Sequence, residues 1–493
     1  MPDHRLPLLP LILDNVPPGL RQALAQEGIP CRDRRPGPPE GRFLLCDLPV
    51  AKALPAPGQI AIDIDPCRRV GGSDALDDLV DHRSAWHKWR IGGHVVVEEI
   101  ARVDKRQRRR AVLAVLRRAV EAAGGIWLRV APFPFPYRSA FNFRFDHDSY
   151  APPVLEATLA AIAGREGATS HFINAAPFAS APGAISRMQG LDVGSHGYWH
   201  HTYRTARENI RNIERGIATL VAAGIEPSGF VAPHGRFNAG LLEALETLAI
   251  SHSSEFGLAY DELPFWIGSG VLLQIPIHPV CFGLFRDALK SLPSNERQSA
   301  LSSAARAFGE HLALLIRSRH QAGEPALIYG HPAERLDQHP EILHQAFETA
   351  ESLATMWKTT LTELAAWWRV RSHVRLTVHR RNGRITVSTD REMPYPVGVE
   401  YLRGDRVALM PLGRSRLEFS PESLAYERRG ASPLLEPVRI DRREGLRGRV
   451  RRMIDWELVT PLQEIPGDNW RNLAKRTLRR WWIEHDREST QAP

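Results

Sequence analysis

The chain has 493 residues, 43% of them hydrophobic and 24% charged, and a formal net charge of +8. It is too long for one hydrophobic core and too apolar for a disordered chain, so about two to four folded domains are expected. The basic balance suits acidic partners, but arginine is spread along the whole chain and a solvated surface is the simpler account of it.

The first apolar stretch, Leu6–Leu13, is interrupted by Pro7 and Pro10 and closed by Asp14-Asn15. No small-residue cleavage pattern follows, so it reads as a strand over Leu8–Asp14 and not as an export signal. Pro18–Glu27 reads as a helix stopped by Gly28. Phe43–Leu48 and Gln59–Ile64 are further strand-like runs. Residues 1–130 are therefore expected to form a small α/β domain, which carries no recognisable chemistry. Within it, Val103–Ala123 is a basic helix with Lys105, Arg106, Arg108, Arg109 and Arg110 near its start. A solvated cationic face is expected there, and the lack of interleaved aromatic residues argues against nucleic acid as a partner.

From Pro134 to Val370 strand-like and helical runs alternate. Phe141–Phe145 alternates aromatic residues with Asn142 and Arg144, a period of two. Strands at Ser170–Asn174, Asp192–Ser195, Gly229–Ala232, Leu272–Ile277 and Ala326–Tyr329 are separated by helices at Val154–Ala163, Arg204–Ala223, Leu241–Ile250 and Glu296–Arg319. Ile342–Trp357 and Leu361–Trp368 read as closing helices. Repeated βα units of this kind predict a (β/α) barrel over 131–370. After Arg371 the pattern turns to β: runs at Val374–Val378 and Arg384–Ser388 flank Asn382-Gly383, a hairpin signal, and Val397–Leu402 and Val407–Met410 continue it. A β-sandwich is expected over 371–438, and a basic, Trp-containing tail over 439–493. Cys31, Cys46, Cys67 and Cys281 form no C-x-x-C pair, which fits a reducing compartment. No apolar run approaches the ~20 residues of a membrane span.

Candidate chemistry gathers where the barrel strands end. Phe145-Asp146-His147-Asp148 closes a strand, and residues two apart share a face, so Asp146 and Asp148 point into one cavity and His147 points away. Downstream, Asp192-Val193-Gly194-Ser195 leads into His196 and His200, four residues apart. On a helical turn that spacing sets both imidazoles on one side, the geometry of a two-histidine metal site that one carboxylate would complete. Pro233-His234-Gly235 ends another strand in a sharp turn, and Tyr329-Gly330-His331 ends a further one in a histidine. His278, after Ile275-Pro276-Ile277, is a weaker candidate of the same kind, and His201 is expected to point elsewhere.

In this order the segments resemble the motifs of the polysaccharide deacetylases, the fourth carbohydrate esterase family, over Pro134–Val370. The resemblance implies a distorted (β/α) barrel and a divalent metal, commonly zinc. It implies Asp148, His196 and His200 as ligands, Asp146 as general base and His331 as general acid, with a backbone N–H near Tyr198 sharing the oxyanion charge. One departure stands out. The third motif of that family usually opens with an arginine that pairs with the base. Val231 stands there, leaving Arg236 or Arg144 to replace it. The family's acidic and aromatic segment is also unclear, with Phe265 and Trp266 as candidate acyl-pocket walls.

The expected function is metal-dependent removal of N-acetyl groups from an amino sugar of a glycan or glycan precursor. Hydrolysis of another non-peptide C–N bond and an inactive glycan-binding descendant are the alternatives. The expected location is cytoplasmic, at the inner membrane face, because the tail combines Arg443, Arg447, Arg449, Arg451 and Arg452 with Lys475, Arg476, Arg479 and Arg480 beside Trp481 and Trp482, a pairing suited to anionic lipid. The competing reading packs those tryptophans onto the sandwich.

Overall fold

The computed structural model describes residues 6–47, 55–390, 392, 396–413, 415–430, 436–442, 446–457, 460–467 and 470–490. Side chains are described for all of these except 334, 335, 447, 448, 451, 452 and 482–490. Arg443 and the side chains of Arg447, Arg451, Arg452 and Trp482 thus lie outside the described residues.

The strand Ser139–His147 is the centre of the molecule, and all of its residues are buried. Phe141, Phe143 and Phe145 pack one face, with Phe141 and Phe143 against Phe347 of the Pro340–Glu351 helix. Asn142, Arg144 and Asp146 take the other. The strand pairs in parallel with Ala326–Gly330 and with Thr169–Ile173, which pairs in turn with Val193–Ser195. Single parallel bridges at Phe230 connect Ser195 to Ser253, and His252–Ser253 pairs with Leu272–Gln274. The ring closes where the His278 N–H donates to Leu327 O at 2.7 Å. This is a distorted (β/α) barrel, its helices Pro152–Ala161, Ala206–Ala222, Ala239–Thr247 and Ser294–Ala322 lying between the strands in sequence.

Two expectations inside the barrel need correction. Gly229–Ala232 is reduced to the bridge at Phe230. The run read as one helix over Ile342–Trp357 is the helix Pro340–Glu351 followed by a short strand, Met356–Lys358, that pairs with Ser139–Phe141. A strand that short has no periodicity to distinguish it from the end of the preceding helix.

Outside the barrel, Cys31–Asp33, Leu11–Leu13, Phe43–Cys46 and Ile60–Asp63 form a parallel sheet in that order, beside the helix Pro18–Glu27. Ser84–Ile91 and His94–Ala101 form a hairpin that the sequence reading missed, although Gly92-Gly93 at its turn, both with positive φ, is a hairpin signal. The Asn382-Gly383 hairpin is present, and both turn residues have positive φ. The segment read as a sandwich forms two antiparallel sheets, one of which takes its edge strand, Trp127–Val130, from ahead of the barrel. One continuous apolar cluster runs through all these parts, from Leu8 to Phe419.

The basic helix, observed over Lys105–Ala122, exposes Arg110 and Arg118 but turns much of its cationic start inward. Lys105, Arg106 and Arg109 are buried. Arg109 pairs with Glu27 and Glu262, and Arg106 with Glu324 at 3.3 Å. Burial of these cations was unreadable locally because each partner comes from a distant segment. All four cysteines are free. Among the described residues no helix is long and apolar enough to cross a membrane.

Glu255 lies just after the barrel strand His252–Ser253 and is fully buried. It accepts from the Ala232 N–H at 3.2 Å and the Ser253 hydroxyl at 2.8 Å, stapling two strand ends. Burial pushes its carboxyl up to about 7 despite those bonds and Arg144 nearby. The folded state therefore holds a proton that the unfolded chain has released, and this stabilisation is lost as pH rises from about 4.5 through 7. Glu255→Gln, which keeps an acceptor, is expected to match the unaltered chain at pH 5 and to exceed it by on the order of 2 kcal/mol at pH 8 in urea unfolding.

Candidate functional site

The site sits at the carboxyl ends of the barrel strands. Asp148 follows the last residue of Ser139–His147, His196 follows Val193–Ser195, and His331 follows Ala326–Gly330. The four side chains meet. The His196 and His200 Nε2 atoms lie 3.4 and 3.2 Å from Asp148 Oδ1. The two Nε2 atoms are 3.2 Å apart. His331 Nε2 faces the other oxygen, Asp148 Oδ2, at 3.3 Å.

The convergence of His196 and His200 has a different local cause from the one expected. Residues 196–205 are loop, and the helix starts only at Ala206. Gly197, at φ 79°, turns the chain, and Asn212 holds the loop through hydrogen bonds to the backbone of Trp199 and His201. A Cβ at Gly197 would come within 2.7 Å of the Asn212 amide, so glycine is needed for both reasons. The Tyr198 N–H itself is taken up, donating to Asn212 O at 3.0 Å.

Of the two candidate arginines, Arg144 is the one that meets Asp146. Its Nη2 lies 2.7 Å from Asp146 Oδ2, and its Nη1 donates to the carbonyl and hydroxyl of Ser254 across the barrel. The guanidinium carbon stands 5.0 Å from the centre of the Tyr329 ring. Arg236 is exposed. Val231 nevertheless contributes, since its carbonyl lies 2.7 Å from His196 Nδ1. A hydrogen on Nδ1 there leaves the Nε2 lone pair facing the site. His147 does point away, into a buried pair with His171 at 3.0 Å, where burial pushes its imidazole down to about 4.

The remaining candidates separate from the site. His278 is bound to Asp261 and His311 at 3.0 and 3.1 Å. Phe265 and Trp266 line a cleft of about 990 Å³ with Gln26, Ile29 and Trp368, and none of the site residues borders it. His201 turns to Asp455 at 3.2 Å. Two neighbours complete the surroundings, His234 from the turn noted in the sequence and Glu457, which had no signal there. The His234 ring sits 4.7 Å from that of His200, edge to face, and Glu457 Oε1 is 3.7 Å from His200 Nδ1.

Asp148, His196 and His200 each offer one donor atom within 4.8 Å of the others. Asp148 Oδ1, the oxygen that both histidines face, is buried, and among the described residues the two imidazoles are what it faces. A carboxylate and two imidazoles set this close fit a divalent cation between them. Burial alone would raise the Asp148 carboxyl, but the His331 and His200 imidazoles outweigh it and hold it well below the usual range.

No family model and no curated protein matches the chain. Solved structures do over about half its length. A putative polysaccharide deacetylase from Mycobacterium smegmatis shares 18% identity at a TM-score of 0.40, covering 51% of this chain and 98% of its own. A probable polysaccharide deacetylase from Pseudomonas aeruginosa shares 15% at 0.39, covering 49% and 95%. An allantoinase shares 16% at 0.36, covering 48% and 93%. These are likenesses of backbone, and the chemistry is read from the side chains above.

Asp146 is 3% exposed, and Arg144 is the cation set against it. Arg144→Met is expected to cost on the order of 3 kcal/mol in urea unfolding, and Asp146→Asn in the same chain to restore much of it. Additive losses across the four proteins of that cycle would mean that the pair is not coupled.

Proposed function

We propose that the chain is a metal-dependent hydrolase that removes N-acetyl groups from an amino sugar of a glycan or glycan precursor. The observation that carries this reading is the meeting of Asp148, His196 and His200 beside an arginine-clamped carboxylate and a facing imidazole. A divalent ion held by the three, zinc for such a nitrogen-rich donor set, would polarise the acyl carbonyl and make water a stronger acid.

The chain's own groups supply the proton transfers. An amide is a weak electrophile with a poor leaving group, so the water must lose a proton and the nitrogen must gain one. Asp146 is suited to take the water's proton, because Arg144 clamps its Oδ2 while its Oδ1 is buried with no hydrogen-bond partner among the described residues. His331 is suited to protonate the nitrogen, with Nε2 turned toward the cluster. His234, edge-on to His200, limits how far that ring can swing.

The test is metal and acetate together. The unaltered chain is expected to bind one zinc per molecule and to release acetate from one or more of a panel of N-acetyl sugars. His196→Ala with His200→Ala should lose the metal. Asp146→Asn should keep it and lose turnover by on the order of 100-fold. Stoichiometric zinc in the double variant refutes the site. Ring-opened ureido acid from cyclic ureides, without acetate from any sugar, places the activity on another C–N bond.

The tail supports an anionic surface as a further partner. Trp470 and Trp481 of the Trp470–Thr490 helix are 73% and 50% exposed, with exposed Arg471 and Arg480 on the same helix. Trp456 instead packs on Tyr203 of the barrel, not on the sheets after it. The chain is expected to sediment with anionic liposomes at low salt and to leave them at high salt. Absence from the pellet at both salts removes the membrane from this reading.

A further inference from the structure

A neutral histidine that ligates through Nε2 carries its hydrogen on Nδ1, and that hydrogen needs an acceptor to fix the ring. His196 has one within its own barrel, Val231 O. For His200, the acceptor that the described residues offer is Glu457, whose Oε1 lies 3.7 Å from Nδ1. Glu457 belongs to the tail, outside the barrel.

The segment that carries Glu457 is tied to the metal-site loop at several points. Ile454, Trp456 and Ile465 form a closed apolar cluster with Tyr203, and Trp199 packs against it. The Trp456 ring is 4.7 Å from that of Tyr203. Asp455, buried and at φ 51°, lies 3.2 Å from His201 Nε2 and accepts from the Arg204 N–H at 3.4 Å. Lys475 bridges Asp455 to Glu208 on the helix that follows the loop. A left-handed aspartate is an unusual backbone state, and here it turns Trp456 inward and leaves Glu457 facing the histidine.

We propose that the tail completes the metal centre: Glu457 is a positioning residue that fixes the tautomer and orientation of His200 through Nδ1. This rests on the reading of Asp148, His196 and His200 as metal ligands. A small movement of His200 toward an ion would bring this 3.7 Å contact to hydrogen-bond length, so an occupied site and the seating of residues 454–457 reinforce each other.

Two measurements on the full chain test this. Zinc affinity is read by competition with a chromogenic chelator for the unaltered chain, Glu457→Ala and Glu457→Gln, with circular dichroism to check the fold. Glu457→Ala should bind zinc on the order of 10-fold more weakly, and Glu457→Gln, which keeps an oxygen acceptor, should recover part of that loss. Independently of any variant, zinc should slow amide hydrogen exchange at 454–457 in the unaltered chain. Equal zinc affinity in a folded Glu457→Ala, or exchange at 454–457 unchanged by bound zinc, overturns the inference and leaves the metal site standing. Should Glu457→Ala not fold, the exchange measurement decides alone. Failure of the unaltered chain to take up zinc overturns both.

Discussion

A carboxylate buried at the mouth of a closed ring of strands must be compensated, because an ionised group there costs several kcal/mol if left alone. Asp146 is in that position, and its partner Arg144 comes from the same strand, two residues earlier. The period of two that points Asp146 inward points Arg144 inward as well. The guanidinium then crosses the interior to Ser254 and stacks on Tyr329, so one side chain ties together strands from opposite parts of the ring. Asp148 and its histidines inherit their places from this register. A slip of one residue would bring Phe143 and Phe145 into the interior and drive the charges among the helices.

Charge pairing also holds the outer parts to the barrel. Arg129 on Trp127–Val130 meets both Glu27 and Glu400, and Arg109 meets Glu27 and Glu262. Glu27 is held down to about 2 because these guanidiniums outweigh the cost of its burial. Arg109, Arg129, Glu262 and Glu400 are buried, so the value of these pairs lies as much in specifying which surfaces meet as in net stability. The tail makes its contact in a different way, through one tryptophan and one aspartate set on the loop that carries His200.

Much of the barrel and its site was legible because each signal was local. The alternation in Phe141–Phe145, the two aspartates after it, and the histidines closing later strands each occupy a few consecutive residues. His196 and His200 were paired correctly but for the wrong reason: a glycine-turned loop braced by Asn212 brings them together, not a helix. Arg144 was left level with Arg236 because sequence motifs are compared position by position, whereas the geometry asks only for a cation on the same face as Asp146. The same alternation that places Asp146 would have favoured Arg144. Glu457 carries no such signal. A lone glutamate in a basic tail gains its meaning from a fold that brings it to His200, and the buried arginines of Lys105–Ala122 were misread for the same cause.

The edge strand Trp127–Val130 has a consequence for how the chain is made. Its Arg129 and the Glu400 it binds are 271 residues apart, and the whole barrel lies between them. During synthesis the strand leaves the ribosome with its pairing groups open and stays so until the partner hairpin arrives. At about 5–20 residues per second that wait lasts tens of seconds. An unpaired edge of apolar residues invites association with other nascent chains over that interval. Arg129, charged in the middle of the strand, helps keep it from such partners until its own is made.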